Sequence, residues 1–222
     1  VYKQGDQNVT AKITGVSGGK DLENLSYDNS TVTTVVSDDS DATTVKLSVS
    51  DTAVKEGQKV VYTAEVDNAP KDDLTITLSN GQTITIKANE KSGSVESDVL
   101  RADDAYIQGE TTTTVNITGV TGQGKYEDFK IDDTAVSTKV TDDYTPGGGD
   151  TPGDEDTTKV TLSATPSVIE GNKITYTATV NNTSTENITV TLDNGETITI
   201  IAGKTSGSIT IDSREDDVYK QG

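Results

Sequence analysis

Between residues 60 and 78 every second position is large or apolar: Val60, Tyr62, Ala64 and Val66, then, past a polar turn, Leu74, Ile76 and Leu78. Thr63, Glu65, Thr75 and Thr77 fall between them. A period of two is that of a strand with one buried and one wet face, and no helix accommodates it. The pattern returns in residues 174–192, with Ile174, Tyr176, Ala178 and Val180 followed by Ile188, Val190 and Leu192. One half-buried hairpin therefore occurs twice in a single chain. The abundant Thr and Val favour strands, while the Gly and Asp around them break elements of either kind. Only 30% of the residues are hydrophobic, against an ordinary ~45–50%. Cores must be thin, which suits small sandwiches better than one large domain.

Laid over itself, the chain shows three copies of one unit, two of them partial. Residues 2–39 match residues 106–143 at a constant shift: Ile13-Thr14-Gly15-Val16 on Ile117-Thr118-Gly119-Val120, Glu23 on Glu127, Leu25 on Phe129 and Val32 on Val136. The first half of the complete unit returns as Val160-Thr161-Leu162-Ser163, Glu170-Gly171, Asn194-Gly195 and Asp216-Asp217-Val218-Tyr219. The chain closes on Val218-Tyr219-Lys220-Gln221-Gly222, the five letters with which it opens. Residues 1–41 thus read as the C-terminal half of a repeat, 42–143 as a complete repeat and 157–222 as an N-terminal half. Residues 144–156, rich in Pro, Gly and acid, have the composition of a linker.

Within the complete repeat the alternation predicts strands at 43–50, 58–66, 73–79, 82–88, 92–98, 112–119 and 134–141. Asn80-Gly81 between two alternating runs is a hairpin signal. The inward set is Leu47, Val60, Tyr62, Ala64, Val66, Leu74, Ile76, Leu78, Ile84, Ile86, Val95, Val115, Ile117, Phe129, Val136 and Val140. Seven short strands separated by Gly, Asp and Asn turns predict an all-β fold, with immunoglobulin-like β-sandwich repeats in tandem. The Cys and Trp of antibody domains are missing, so this expectation rests on spacing and alternation.

Composition narrows the chemistry. The chain has no Cys, His, Met or Trp, which removes disulfides, thiol nucleophiles, Cys-ligated zinc and the commonest general base. No catalytic residues are expected: adjacent acids such as Asp103 and Asp104 point to opposite faces of a strand, and no aromatic platform for a sugar is visible. A net charge of -19 argues against nucleic acid and anionic lipid as partners. No run of residues is long and apolar enough to insert in a membrane as a helix. No signal peptide stands at Val1, and the chain reads as an internal piece of something longer.

Excess carboxylate in a foldable chain points to hard divalent cations held by oxygen, calcium above all. In a seven-strand sandwich the first interstrand loop, the loop between the fifth and sixth strands, and the end of the last strand share one pole. Those places hold Asp51 and Glu56, then Asp103 and Asp104, then Asp142 and Asp143. The other copies hold Asp38, Asp39 and Asp41 at the first seam, and Glu170, Asp216 and Asp217 in the last copy. Tyr2, Tyr106 and Tyr219 are expected to close the pole beneath the metal. The rival reading of these acids is a solubilising surface.

The order Leu162-Ser163-Ala164-Thr165-Pro166, Glu170-Gly171, Ile174-Thr175-Tyr176-Thr177-Ala178, Leu192-Asp193-Asn194-Gly195 and Ser206-Gly207-Ser208 resembles the extender repeats of giant bacterial RTX adhesins of the biofilm large-adhesion-protein type. The tandem repeats of a marine ice-adhesion protein are close relatives of these. The resemblance covers nearly all of the chain except 144–156. It implies a β-sandwich spacer exported by type I secretion, lying outside the cell at the bacterial surface and projecting a distal binding domain, with calcium stiffening the junctions between neighbouring repeats. The Pro/Gly-rich junction departs from that pattern. The alternative function is a ligand- or glycan-binding module of a surface protein. The half-copies carry a further expectation: residues 1–41 complete, head to tail, the sandwich begun by residues 157–222, most readily that of a neighbouring molecule.

Overall fold

The computed structural model describes residues 1–144, 146, 151–153 and 156–218. Most of the expected linker, residues 145, 147–150, 154 and 155, lies outside the described residues, as does Tyr219. Among the described residues, seventeen strands and one 3-10 turn make up the regular structure, so the fold is all-β. Two compact units divide it: Val1–Arg101 with Glu110–Thr141, and Ala102–Gly109 with the chain from Asp142 onward. Among the described residues no helix is long and apolar enough to cross a membrane.

The first unit opens with an antiparallel pair, β1 (Gln7–Ala11) and β2 (Val32–Val36), exposed along its whole length. The sandwich follows: β3 (Ala42–Val49), β4 (Ala53–Lys55), β5 (Val61–Val66), β6 (Leu74–Leu78), β7 (Thr83–Ile86), β8 (Ser92–Glu96), β9 (Thr111–Val115), β10 (Ile117–Thr121), a 3-10 turn at Gln123–Lys125, β11 (Asp128–Ile131) and β12 (Val136–Thr141). One layer has the order β11-β3-β5-β8. The other comprises β4-β12-β9 and β10-β6-β7, with β9 and β10 a single run interrupted at Asn116.

The two layers bury their alternate residues against each other. Val45, Val60, Tyr62, Ala64 and Val66 from one side meet Leu74, Ile76, Leu78, Ile84, Ile86, Val115 and Ile117 from the other. Leu47, Val95, Phe129 and Val136 pack on this core while half-buried. Val140 is fully buried. The β6–β7 turn forms where Asn80-Gly81 predicts it: Gly81 takes a positive φ of 85°, and the Asn80 side-chain oxygen accepts the Gln82 N–H at 3.1 Å.

Two strands have no counterpart in the sequence-based expectation. β4 and β11 are three and four residues long, and each pairs parallel, β4 with β12 and β11 with β3. β4 turns only Val54 toward the core, and one inward residue makes no visible alternation. The expected strand 112–119 is split at Asn116, whose N–H is accepted by Ser79 Oγ at 3.1 Å while the β10 register shifts after Ile117.

The second unit repeats the first half of that sandwich. β13 (Val160–Ala164), β14 (Lys173–Val180) and β17 (Ser206–Asp212) form one sheet in the order β13-β14-β17; β15 (Ile188–Thr191) pairs with β16 (Thr197–Ile200). They correspond in order to β3, β5, β8, β6 and β7. Ala178, Val180, Ile198 and Ile200 are the buried core.

Candidate metal centre

In the first unit, Asp38 and Asp39 follow β2, Asp41 precedes β3, and Glu127 stands immediately before β11. Carboxylate oxygens of Asp38, Asp39 and Glu127 lie within 4.8 Å of one another. Calcium–oxygen bonds of ~2.3–2.6 Å place opposite ligands of one ion about 5 Å apart, so this spacing suits a single calcium. Glu127 is the most enclosed of the three, its side chain only 7% exposed. Its Oε2 accepts the Asp41 N–H at 2.7 Å, and its Oε1 accepts from the Val1 ammonium at 2.5 Å. The same ammonium donates to Asp41 Oδ2 at 3.1 Å. Asp38 Oδ2 accepts the Gln4 N–H at 2.9 Å. A carboxylate has about four lone-pair sites, so these bonds leave capacity for a cation.

Glu56, at the end of β4, is buried, and Arg101 Nε lies 3.2 Å from its Oε2; the two side chains are 1% and 11% exposed. The backbone holds the pair in place: Glu56 N–H donates to the Thr141 carbonyl at 2.9 Å, and Gly57 N–H to the Arg101 carbonyl at 2.9 Å. This loop is thereby sewn to the residue that precedes Asp142 and to the one that precedes Asp103 by two. Asp51 stays exposed; Ser50 Oγ donates to its carboxylate at 2.7 Å, and Thr138 Oγ1 to its carbonyl at 2.7 Å.

In the second unit, Asp103 and Asp143 present carboxylate oxygens within 4.8 Å of each other. Asp143 Oδ1 is buried without a hydrogen-bond partner, a costly state for a carboxylate that no cation offsets. Asp104 and Asp142 are committed to the local backbone. Asp104 accepts from Tyr106 N–H at 2.8 Å and from Gln108 Nε2 at 2.5 Å. Asp142, buried, accepts from the N–H groups of Gln108 and Gly109 at 3.0 and 3.1 Å. In the last copy Glu170 meets Arg214 at 2.9 Å, and Gly171 N–H donates to the Arg214 carbonyl at 2.9 Å. Asp216 abuts Gly171, where an added Cβ would stand 3.0 Å from the Asp216 Cβ. Asp216 and Asp217 belong to no group of three acids among the described residues.

Sequence reasoning missed Glu127, Arg101 and Arg214. Each had a signal. Glu127 matches Glu23 in the repeat, and the chain's only two arginines both stand two residues before an Asp-Asp pair, in Arg101-Ala102-Asp103-Asp104 and Arg214-Glu215-Asp216-Asp217. The two described tyrosines of the expected pole lie differently. Tyr2 stacks against Tyr126 with ring centroids 5.5 Å apart and donates to the Ala69 carbonyl. Tyr106 is exposed, its hydroxyl 3.3 Å from Thr183 Oγ1, and so plugs nothing. Ala69 and Thr183 occupy matching positions of their repeats, so the two tyrosines reach for the same place.

A family model, the LapA domain, matches residues 41–143 and 156–222, more than half of the chain. No curated protein matches it.

Proposed function

The chain belongs to the LapA domain family of large cell-surface biofilm adhesins, and on that premise we propose that it is an extender segment of an RTX-type adhesin. Its immunoglobulin-like repeats, akin to those of ice-adhesion proteins and exported by type I secretion, hold a distal binding domain away from the cell. Calcium stiffens the seams between repeats. The convergence of Asp38, Asp39 and Glu127 at the first seam carries this reading, because three carboxylates this close repel one another, and the Val1 ammonium that reaches Glu127 offsets only part of that charge. Asp41 adjoins them through Glu127.

In the complete repeat the further proposed ligands are Asp51 and Glu56; in the second unit they are Asp103, Asp104, Asp142 and Asp143, and in the last copy Glu170, Asp216 and Asp217. The unpartnered Asp143 Oδ1 supports a cation in the second unit. Calcium would supply charge neutralisation and a coordination shell that fixes the angle at which one repeat leaves the next; the role is mechanical and needs no catalytic group.

The test compares EDTA with millimolar calcium. Small-angle scattering should show a longer particle with calcium, and calorimetry a higher thermal midpoint. Magnesium should substitute poorly, since it demands a tighter octahedral shell. Joint substitution of Asp38→Asn and Asp39→Asn should remove the contribution of the first seam. An unchanged radius of gyration together with an unchanged midpoint would sink the calcium reading.

A further inference from the structure

The segment Val1-Tyr2-Lys3-Gln4-Gly5 returns, between β8 and β9, as Ala105-Tyr106-Ile107-Gln108-Gly109. In the first unit it is seated on the complete repeat. Lys3 N–H donates to the Lys125 carbonyl at 3.1 Å and Glu127 N–H to the Val1 carbonyl at 3.2 Å, an antiparallel bridge that sets Tyr2 opposite Tyr126. The Tyr2 ring centroid lies 5.5 Å from that of Tyr126 and 4.6 Å from Lys71 Nζ. Its hydroxyl donates to the Ala69 carbonyl. Two residues on, Gln4 N–H is accepted by Asp38 at 2.9 Å. Asp38 belongs to the partial repeat of residues 1–41, whereas Ala69, Lys71 and Tyr126 belong to the complete one. One five-residue segment thus holds both.

The second unit shows the same two attachments. Ala102–Gly109 belongs to it although flanked on both sides by residues of the first. Gln108 N–H is accepted at 3.0 Å by Asp142, the counterpart of Asp38. The Tyr106 hydroxyl lies 3.3 Å from Oγ1 of Thr183, the counterpart of Ala69. Gly5 and Gly109 take φ of 72° and 74°, the left-handed conformation that a side chain disfavours. Both segments therefore leave by the same turn.

We propose that this x-Tyr-x-Gln-Gly segment is a tether by which each repeat grips the one that follows it. The glutamine N–H is fixed on the aspartate just after the last strand of the segment's own repeat, and the tyrosine is the anchor. Its seat on the complete repeat is the Ala69 carbonyl, the Tyr126 ring and the Lys71 ammonium. Tyrosine fits that seat in three ways at once: the ring packs on a second ring, its face attracts a cation, and its hydroxyl satisfies a carbonyl. These contacts need no ion, so the tether acts where calcium is absent. The inference deepens the spacer reading, on which it rests, and adds a second means of joining repeats.

Amide hydrogen exchange of the full chain in EDTA tests the tether, because exchange reads local opening. The Lys3 and Glu127 amides should be protected in the unmodified chain. Tyr2→Phe keeps the ring and loses the hydroxyl, and should speed their exchange about fivefold. Tyr2→Ala should speed it at least about tenfold. Tyr106→Ala should likewise speed exchange of the Gln108 amide. The Val66 amide, which donates to the Lys91 carbonyl at 2.9 Å within the complete repeat, should keep its rate in every variant. Lys3 and Glu127 amides that exchange freely in the unmodified chain would overturn the proposal, as would variants that leave the rates unchanged. An equal acceleration at Val66 would also overturn it, since Tyr2 would then be a core residue of one repeat and nothing more. All of this is read in EDTA, so its failure leaves the calcium reading standing. Failure of scattering and calorimetry to respond to calcium leaves the tether standing in turn.

Discussion

Arg101 and Glu56 form the most enclosed ion pair of the first unit, and removing one partner leaves the other charge in a poorly solvated place. Arg101→Ala should therefore destabilise the complete repeat by about 3 kcal/mol, read as a lower urea midpoint with the slope unchanged. Arg214→Ala should cost less, because Arg214 is half exposed and solvent screens its pair with Glu170. Tyr126 gives a pH signature. Burial, and secondarily the neighbouring Tyr2, push its phenol up to about 12, and its hydroxyl donates to the Asn68 carbonyl at 2.6 Å. The folded state thus holds this proton more tightly than the unfolded chain, whose tyrosines titrate near ~10. The stability it contributes is complete below that value and is lost as pH rises through 10 toward 12. Burial also pushes the Tyr62 phenol up, so phenolate absorbance should show a late step titrating together with unfolding, and Tyr126→Phe should shrink that step.

At the level of strands, the close approach of β8 to the end of β7 depends on a missing side chain. A Cβ on Gly93 would run into the Thr85 carbonyl, and one on Gly207 into that of Thr199. The backbone oxygen cannot move without opening a hairpin. Gly93→Ala should cost about 1–3 kcal/mol, as overpacking does, lowering the melting temperature by roughly 4–8 °C per kcal/mol in a domain of this size. The strands with several inward residues, β3, β5, β6, β7 and β12, were legible because alternation is a local property. β4 and β11 were not, since their parallel partners are distant in sequence and their short spans carry too few inward positions to show a period. The acidic positions were legible as residues but not as a group: Glu127 joins Asp38 and Asp39 only because β11 runs alongside the start of β3.

For the molecule as a whole, the two units differ in how much each buries. Thirteen residues form the buried core cluster of the first and four that of the second. Burial is the main favourable term in folding, so calorimetry on dilute protein should show two transitions, the lower belonging to the second unit. Gly207→Ala should move only the lower one and Gly93→Ala only the upper; a single transition shifted equally by both would contradict this. The amino-acid sequence determined the class of fold, the repeat and most inward residues, because period and self-similarity are written along the chain. It also determined the absence of thiol and imidazole chemistry, which is a matter of composition alone. Only the tertiary structure decided which carboxylates meet, which apolar faces are closed and which stand open, and where the two arginines spend their charge. Those outcomes depend on pairings between segments far apart in the chain, and nothing local encodes them.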